Sequence, residues 1–73
     1  MKAVHLRIED PHDETEAATV EAVARYSAGV KDVASIRSLN MISVLYDDAR
    51  TDVSRLLANL AHTGFHFNVM AGL

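Results

Sequence analysis

Apolar and polar residues alternate along Ala3–Ile8, with Val4, Leu6 and Ile8 on one side and Ala3, His5 and Arg7 on the other, which predicts a half-buried strand. Pro11 stops it. A helical spacing then takes over: Ala17, Val20, Val23, Ala24 and Ser27 predict a helix from about Glu14 to Ala28, with Gly29 at the left-handed position that often ends one. A second strand is predicted over Val33–Ser38, and Leu39-Asn40 supplies a hairpin turn. In the third strand, Met41–Tyr46, residues Ile42, Val44 and Tyr46 share one face and Ser43 and Leu45 the other. Thr51 is the expected cap of a second helix, with Asp52 in its first turn. Val53, Leu56, Leu57 and Leu60 form the stripe of that helix, and Gly64 ends it. A last alternating strand is predicted over Phe65–Met70.

The order is βαββαβ with short connections, so residues 1–73 read as a single domain. Right-handed crossovers fold this order into an α+β architecture: a four-stranded antiparallel sheet with both helices on one face and the other face open. A chain of 73 residues buries roughly 60% of its unfolded surface, so its stability is modest.

Composition narrows the function. The net charge of −3 argues against a nucleic-acid partner, which calls for a basic face. With no cysteine there is no disulfide, thiolate metal site or cysteine nucleophile. The first residues lack the apolar core of a signal peptide and no apolar run reaches a membrane span, so a soluble, cytoplasmic protein is expected. Charge is unevenly placed. Between Ile8 and Glu16 lie Glu9, Asp10, Asp13, Glu14 and Glu16, half of the chain's ten acidic residues, together with His12.

Thr19-Val20-Glu21-Ala22-Val23, Gly29-Val30 with Val33, Ile42, Val44, Tyr46-Asp47, then Leu56, Leu60 and Gly64-Phe65 resemble the heavy-metal-associated (HMA) domain. These ferredoxin-like modules form soluble copper chaperones and the N-termini of metal-pumping ATPases. The Gly-Val and Gly-Phe landmarks fit HMA domains better than ACT domains, which share the βαββαβ order. The family's strand–helix loop carries methionine and a Cys-x-x-Cys pair. Here the methionine position falls on Pro11 and the cysteines on Asp13 and Glu16, a degenerate Cys-x-x-Cys in which hard carboxylates replace soft thiolates. That substitution disfavours Cu(I) and leaves a divalent ion such as Zn, Co or Ni as the cofactor the loop could take.

The metal-ligand candidates are His12, Asp13 and Glu16, joined by His62. The topology places the first strand–helix loop, the Ser38–Met41 hairpin and the Gly64 corner at one end of the fold, and His62 lies in the last turn before that corner. Asp13 and Glu16 are equally well spaced as a capping box, which needs no ligand, and His62 suits the carbonyl end of its helix. On the open sheet face, His5 and Arg7 should stand beside His66 and Asn68, with a His5/His66 pair as a further polar candidate. Leu45, Ser43 and Met70 make that face partly apolar, a surface for a homodimer or a protein partner.

No nucleophile elbow, Gly-rich phosphate loop or evident cleft supports an enzyme. Two expectations follow: an HMA-like domain binding a divalent ion through oxygen and nitrogen donors, or a metal-free interaction or regulatory module using the open sheet face or the acidic loop.

Overall fold

The computed structural model describes residues 1–70. Four strands, β1 (Lys2–Ile8), β2 (Val30–Ile36), β3 (Met41–Tyr46) and β4 (Phe67–Met70), alternate with two helices, α1 (Glu14–Arg25) and α2 (Val53–Leu60), in the order βαββαβ. The sheet order is β2-β3-β1-β4 and every pairing is antiparallel.

Register follows the hydrophobic alternation. Val4 faces Val44 and Leu6 faces Ile42 across β1 and β3, so the apolar residues of both central strands fall on one face. The helices cover that face: Val20 and Ala24 of α1 and Leu56 and Leu60 of α2 close over Leu6, Ile42 and Val44. Val23, Val53, Leu57, Phe65 and Phe67 seal the margin. The opposite face, carrying Leu45 and Ile36, is left without a covering layer.

Several element boundaries depart from the sequence pattern. Helix α1 stops at Arg25 rather than Ala28, because the Ser27 hydroxyl turns back to the Val23 carbonyl at 2.9 Å and the chain reverses through Gly29. Strand β2 begins at Val30, earlier than the predicted Val33. A bulge between Val30 and Asp32 hides its start from a strict alternation, and a 3₁₀ turn over Arg37–Leu39 takes its predicted end. Asn40, at φ 53°, closes that turn, so the hairpin is longer than a two-residue Leu39-Asn40 connection. The cap of α2 is Asp52, which accepts from the Arg55 N–H at 2.9 Å, whereas Thr51 is buried beside Gly29. Finally, β4 begins at Phe67 because Phe65 and His66 belong to the corner that joins the loop of β1.

A polar hub ties α1 to the edge strand β2. Glu21 accepts from the Ser35 hydroxyl at 2.7 Å and from Arg25 at 2.8 Å, and Arg25 also donates to the Val33 carbonyl and to Asp32. The Ser35 hydroxyl first, and then Arg25, hold the Glu21 carboxyl below its ordinary value of 4.5. A carboxylate whose pKa is depressed by folding stabilises the fold above its unfolded value, and that contribution is lost as pH falls through the folded one. Glu21→Gln should therefore cost on the order of 1 kcal/mol at pH 7. In urea melts across pH, the gap between wild type and variant should close as pH falls from 4.5 through the lower folded value.

Candidate functional site

The loop after β1, the β2–β3 hairpin and the corner before β4 meet at one end of the sheet. Ile8 N–H donates to the Asn40 carbonyl at 2.8 Å, and Glu9 N–H to the His66 carbonyl at 3.0 Å. Within this frame each carboxylate of the acidic stretch has a protein partner. Glu9 pairs with Arg7 at 3.2 Å, and Glu14 with Arg37 at 3.6 Å. Asp13 accepts from the Glu16 N–H at 2.8 Å while Glu16 accepts from the Asp13 N–H at 3.2 Å, so the two form a reciprocal capping box at the start of α1. One oxygen of each carboxylate is engaged and the second has no hydrogen-bond partner among the described residues.

Asp10 has the partner most distant in sequence. Its Oδ2 accepts from the His66 backbone N–H at 2.5 Å, and its carboxylate lies 3.2 Å from His66 Nδ1. The backbone N–H, followed by the imidazole contact, holds the Asp10 carboxyl below its ordinary range. This clasp fixes the entry of β4 against the end of β1. Nothing local in the sequence distinguishes Asp10 from the acids beside it, since its partner arrives only through the tertiary fold.

His12 turns its Nδ1 to the Asp10 carbonyl at 2.9 Å and sets its ring edge-on to Phe65, 6.2 Å between centroids. A carbonyl can only accept, so Nδ1 carries the hydrogen and the neutral ring keeps a free lone pair on Nε2. His12, Asp13 and Glu14 rim a cavity of about 150 Å³ floored by Ile8, Ala17 and Ile42, with Arg37 on the far side. That is below the usual 300–1,000 Å³ of a small-molecule cleft.

The structure brings His12, Asp13 and Glu16 to the predicted loop and leaves His62 elsewhere. His62 lies in a groove between the helices with Ala22, Val23 and Asn59. Among the described residues, no group of three or more His, Asp or Glu side chains converges on a point that could hold a metal ion. The expected His5/His66 pairing is corrected by the register: His5 stands opposite Met70, and Arg7 opposite Asn68. Because β1 and β4 are antiparallel, His66 falls beyond Ile8, four positions along β1 from His5.

No family model matches the chain and no curated protein matches it in sequence. Solved structures do match. The copper-binding domain from HMA7, a P-type ATPase, superposes with a TM-score of 0.90 at 17% identity, covering 99% of this chain and 97% of that one. The chain has an HMA-like fold. Oxidized MerP from Ralstonia metallidurans CH34 gives a TM-score of 0.88 at 24% identity over 96% of this chain and 97% of its own. The yeast copper transporter domain CCC2A gives 0.85 at 16% identity over all of both chains. At these identities the likeness is one of fold. The donors of this HMA-like domain differ from a soft-metal site: without cysteine, and with Pro11, Asp13 and Glu16 in the loop, its residues do not fit Cu(I). Among the described residues, no helix is long and apolar enough to cross a membrane.

Proposed function

We propose that this HMA-like domain binds a divalent ion weakly, through nitrogen and oxygen donors at the loop between β1 and α1. The observation that carries the reading is His12: its Nδ1–H is held by the Asp10 carbonyl, which leaves Nε2 as the ring nitrogen a metal would take. Asp13 follows it in the chain and Glu16 lies in the first turn of α1, each with one carboxylate oxygen outside the capping box. Imidazole with carboxylate suits Zn, Co or Ni, and water completes the coordination shell. Among the matched structures are a copper-binding domain and the CopZ metallochaperone, so the same fold serves metal-handling proteins with other donors. His62, set in the interhelical groove, is not part of the proposed donor set.

Titration with Zn(II), Co(II), Ni(II) and Cu(II) tests the reading. Amide signals of 12–16 should move at micromolar to millimolar metal, and a loop that stays still at millimolar metal ends the proposal. Asp13→Ala gives a second expected result. The capping box alone predicts a stability loss of about 0.5–2 kcal/mol at any metal concentration. Metal binding adds a loss that grows with metal, because the ion stabilises only the folded form.

A second reading is a non-catalytic, cytoplasmic contact module that uses the open sheet face. Ile36 and Leu45 favour it: they are 36% and 38% exposed there, Ile36 in register with Met41 and Leu45 with Ala3. It is the reading left standing if no metal moves the loop.

A further inference from the structure

We infer that Asp10 is the positioning residue of the β1–α1 loop: its carbonyl fixes the ring of His12 while its carboxylate is anchored across the fold to the backbone of His66. The role rests on the reading of the loop as an ion site. Asp10 is then the group outside the donor set that keeps His12 in the form a metal takes.

Asp10 is engaged at both ends. Its carbonyl accepts from His12 Nδ1 at 2.9 Å. Its carboxylate accepts from the His66 backbone N–H, with His66 Nδ1 3.2–3.3 Å from the two oxygens. The preceding residue is tied to the same place, since Glu9 N–H donates to the His66 carbonyl at 3.0 Å. Residues 9 and 10 therefore hold both backbone polar groups of a residue 56 positions away from Asp10. The backbone donor is the firmer part of this anchor, because the His66 side chain is 83% exposed and that of Asp10 only 35%.

The path from anchor to ring is short and stiff. Pro11 fixes its own φ and restricts the residue before it, so the Asp10 carbonyl has little freedom to turn once its side chain is held. On the other side of His12, Asp13 opens the capping box with Glu16. His12 thus lies between two anchored stretches of backbone. The same corner braces its ring, for Phe65, next to His66, meets it edge-on. A carbonyl acceptor at Nδ1 keeps the hydrogen there and makes Nε2 the more basic donor; removing such a partner typically weakens metal binding about 10–100-fold.

Long-range proton–nitrogen spectra of the metal-free chain, with the imidazoles neutral at about pH 8.5, test this. Wild-type His12 should carry its hydrogen on Nδ1. Asp10→Ala should convert the ring to a mixture of tautomers. Asp10→Asn, whose amide oxygen still accepts from the His66 N–H, should restore the wild-type pattern. Asp52→Ala removes the cap of α2, away from this corner, and should leave His12 as in wild type, which separates lost stability from lost positioning. Pro11→Gly loosens the path with the anchor in place and should shift the tautomer as Asp10→Ala does, even where that variant is too unstable to read. In Zn(II) titrations, Asp10→Ala should bind about 10–100-fold more weakly and Asp10→Asn should recover most of the loss. A wild-type ring already mixed between tautomers overturns the inference, as does a ring that keeps its Nδ1 hydrogen in both Asp10→Ala and Pro11→Gly. A fixed wild-type ring that Asp10→Ala releases, in a loop no metal moves, ends the ion reading alone and upholds the hold of Asp10 on His12.

Discussion

Gly29→Ala is expected to destabilise the fold by about 2–5 kcal/mol, as the sum of two separable causes. Gly29 has φ +83°, a left-handed conformation that costs an L side chain roughly 1–2 kcal/mol. A methyl group there would also lie 2.9 Å from Thr51 Cγ2 and 3.1 Å from its Cβ. Thr51 is buried and cannot swing away, so the overpacking adds about 1–3 kcal/mol. The Gly29 carbonyl accepts from Asp47 N–H at 2.8 Å, so the strain falls where the α1–β2 turn meets the end of β3. Gly64 provides the control. Its φ is +84°, yet nothing lies within 4 Å of a Cβ placed on it. Gly64→Ala should therefore show the conformational cost alone, about 1–2 kcal/mol. Thr51→Ser, by removing Cγ2, should recover part of the loss in the Gly29→Ala background and none in the Gly64→Ala background. Urea midpoints at constant m-value measure all four variants.

The contrast between these glycines shows what sequence patterning can and cannot carry. Both mark helix ends, and both sit where a left-handed residue was expected, because that requirement is local. The clash that makes Gly29 the costlier of the two depends on Thr51, which the tertiary fold delivers. Strand β3 was legible to the residue, since Ile42, Val44 and Tyr46 alternate strictly between turns. The capping box of Asp13 and Glu16 was legible for the same reason: cap and partner lie within one helical turn. The start of β2 was not, because a bulge breaks the alternation that announces a strand. Nor was the 3₁₀ turn (Ala61–Thr63) that follows α2 and carries His62, which the helical spacing does not announce. The Asp10–His66 clasp, spanning 56 positions, left no local trace at all. The sequence pattern placed the acidic stretch at the start of α1, and what it could not supply was the allocation of each carboxylate to a partner.

The other large effect expected is at Leu6, where Leu6→Ala should cost about 2–5 kcal/mol. The side chain is fully buried, on a central strand, facing Ile42 on β3 and beneath the two helices. Such a site cannot collapse around a cavity, because sheet neighbours hold it on both sides. A 73-residue domain has a total stability of about 4–11 kcal/mol, so this one truncation removes a large share of it. The melting temperature should fall by more than about 10 °C, at roughly 4–8 °C per kcal/mol for a chain of this size. Val69 is the matched comparison. It stands opposite Leu6 in the β1–β4 register, yet it is 45% exposed on a short edge strand. Val69→Ala should cost less than about 1 kcal/mol, since nearly half of its surface already meets water. The consequence reaches the loop, because Leu6 lies two residues before Ile8, whose N–H is bound to Asn40, and three before Glu9, bound to His66. Amide exchange at Ile8 and Glu9 in Leu6→Ala should therefore accelerate by the same free energy as global unfolding, if β1 and the loop that carries His12 open as one unit. Exchange at those two amides that outruns the global loss would instead make the loop a separate, weaker unit. His12 would then be held by the Asp10 carbonyl and Phe65 alone rather than by the core.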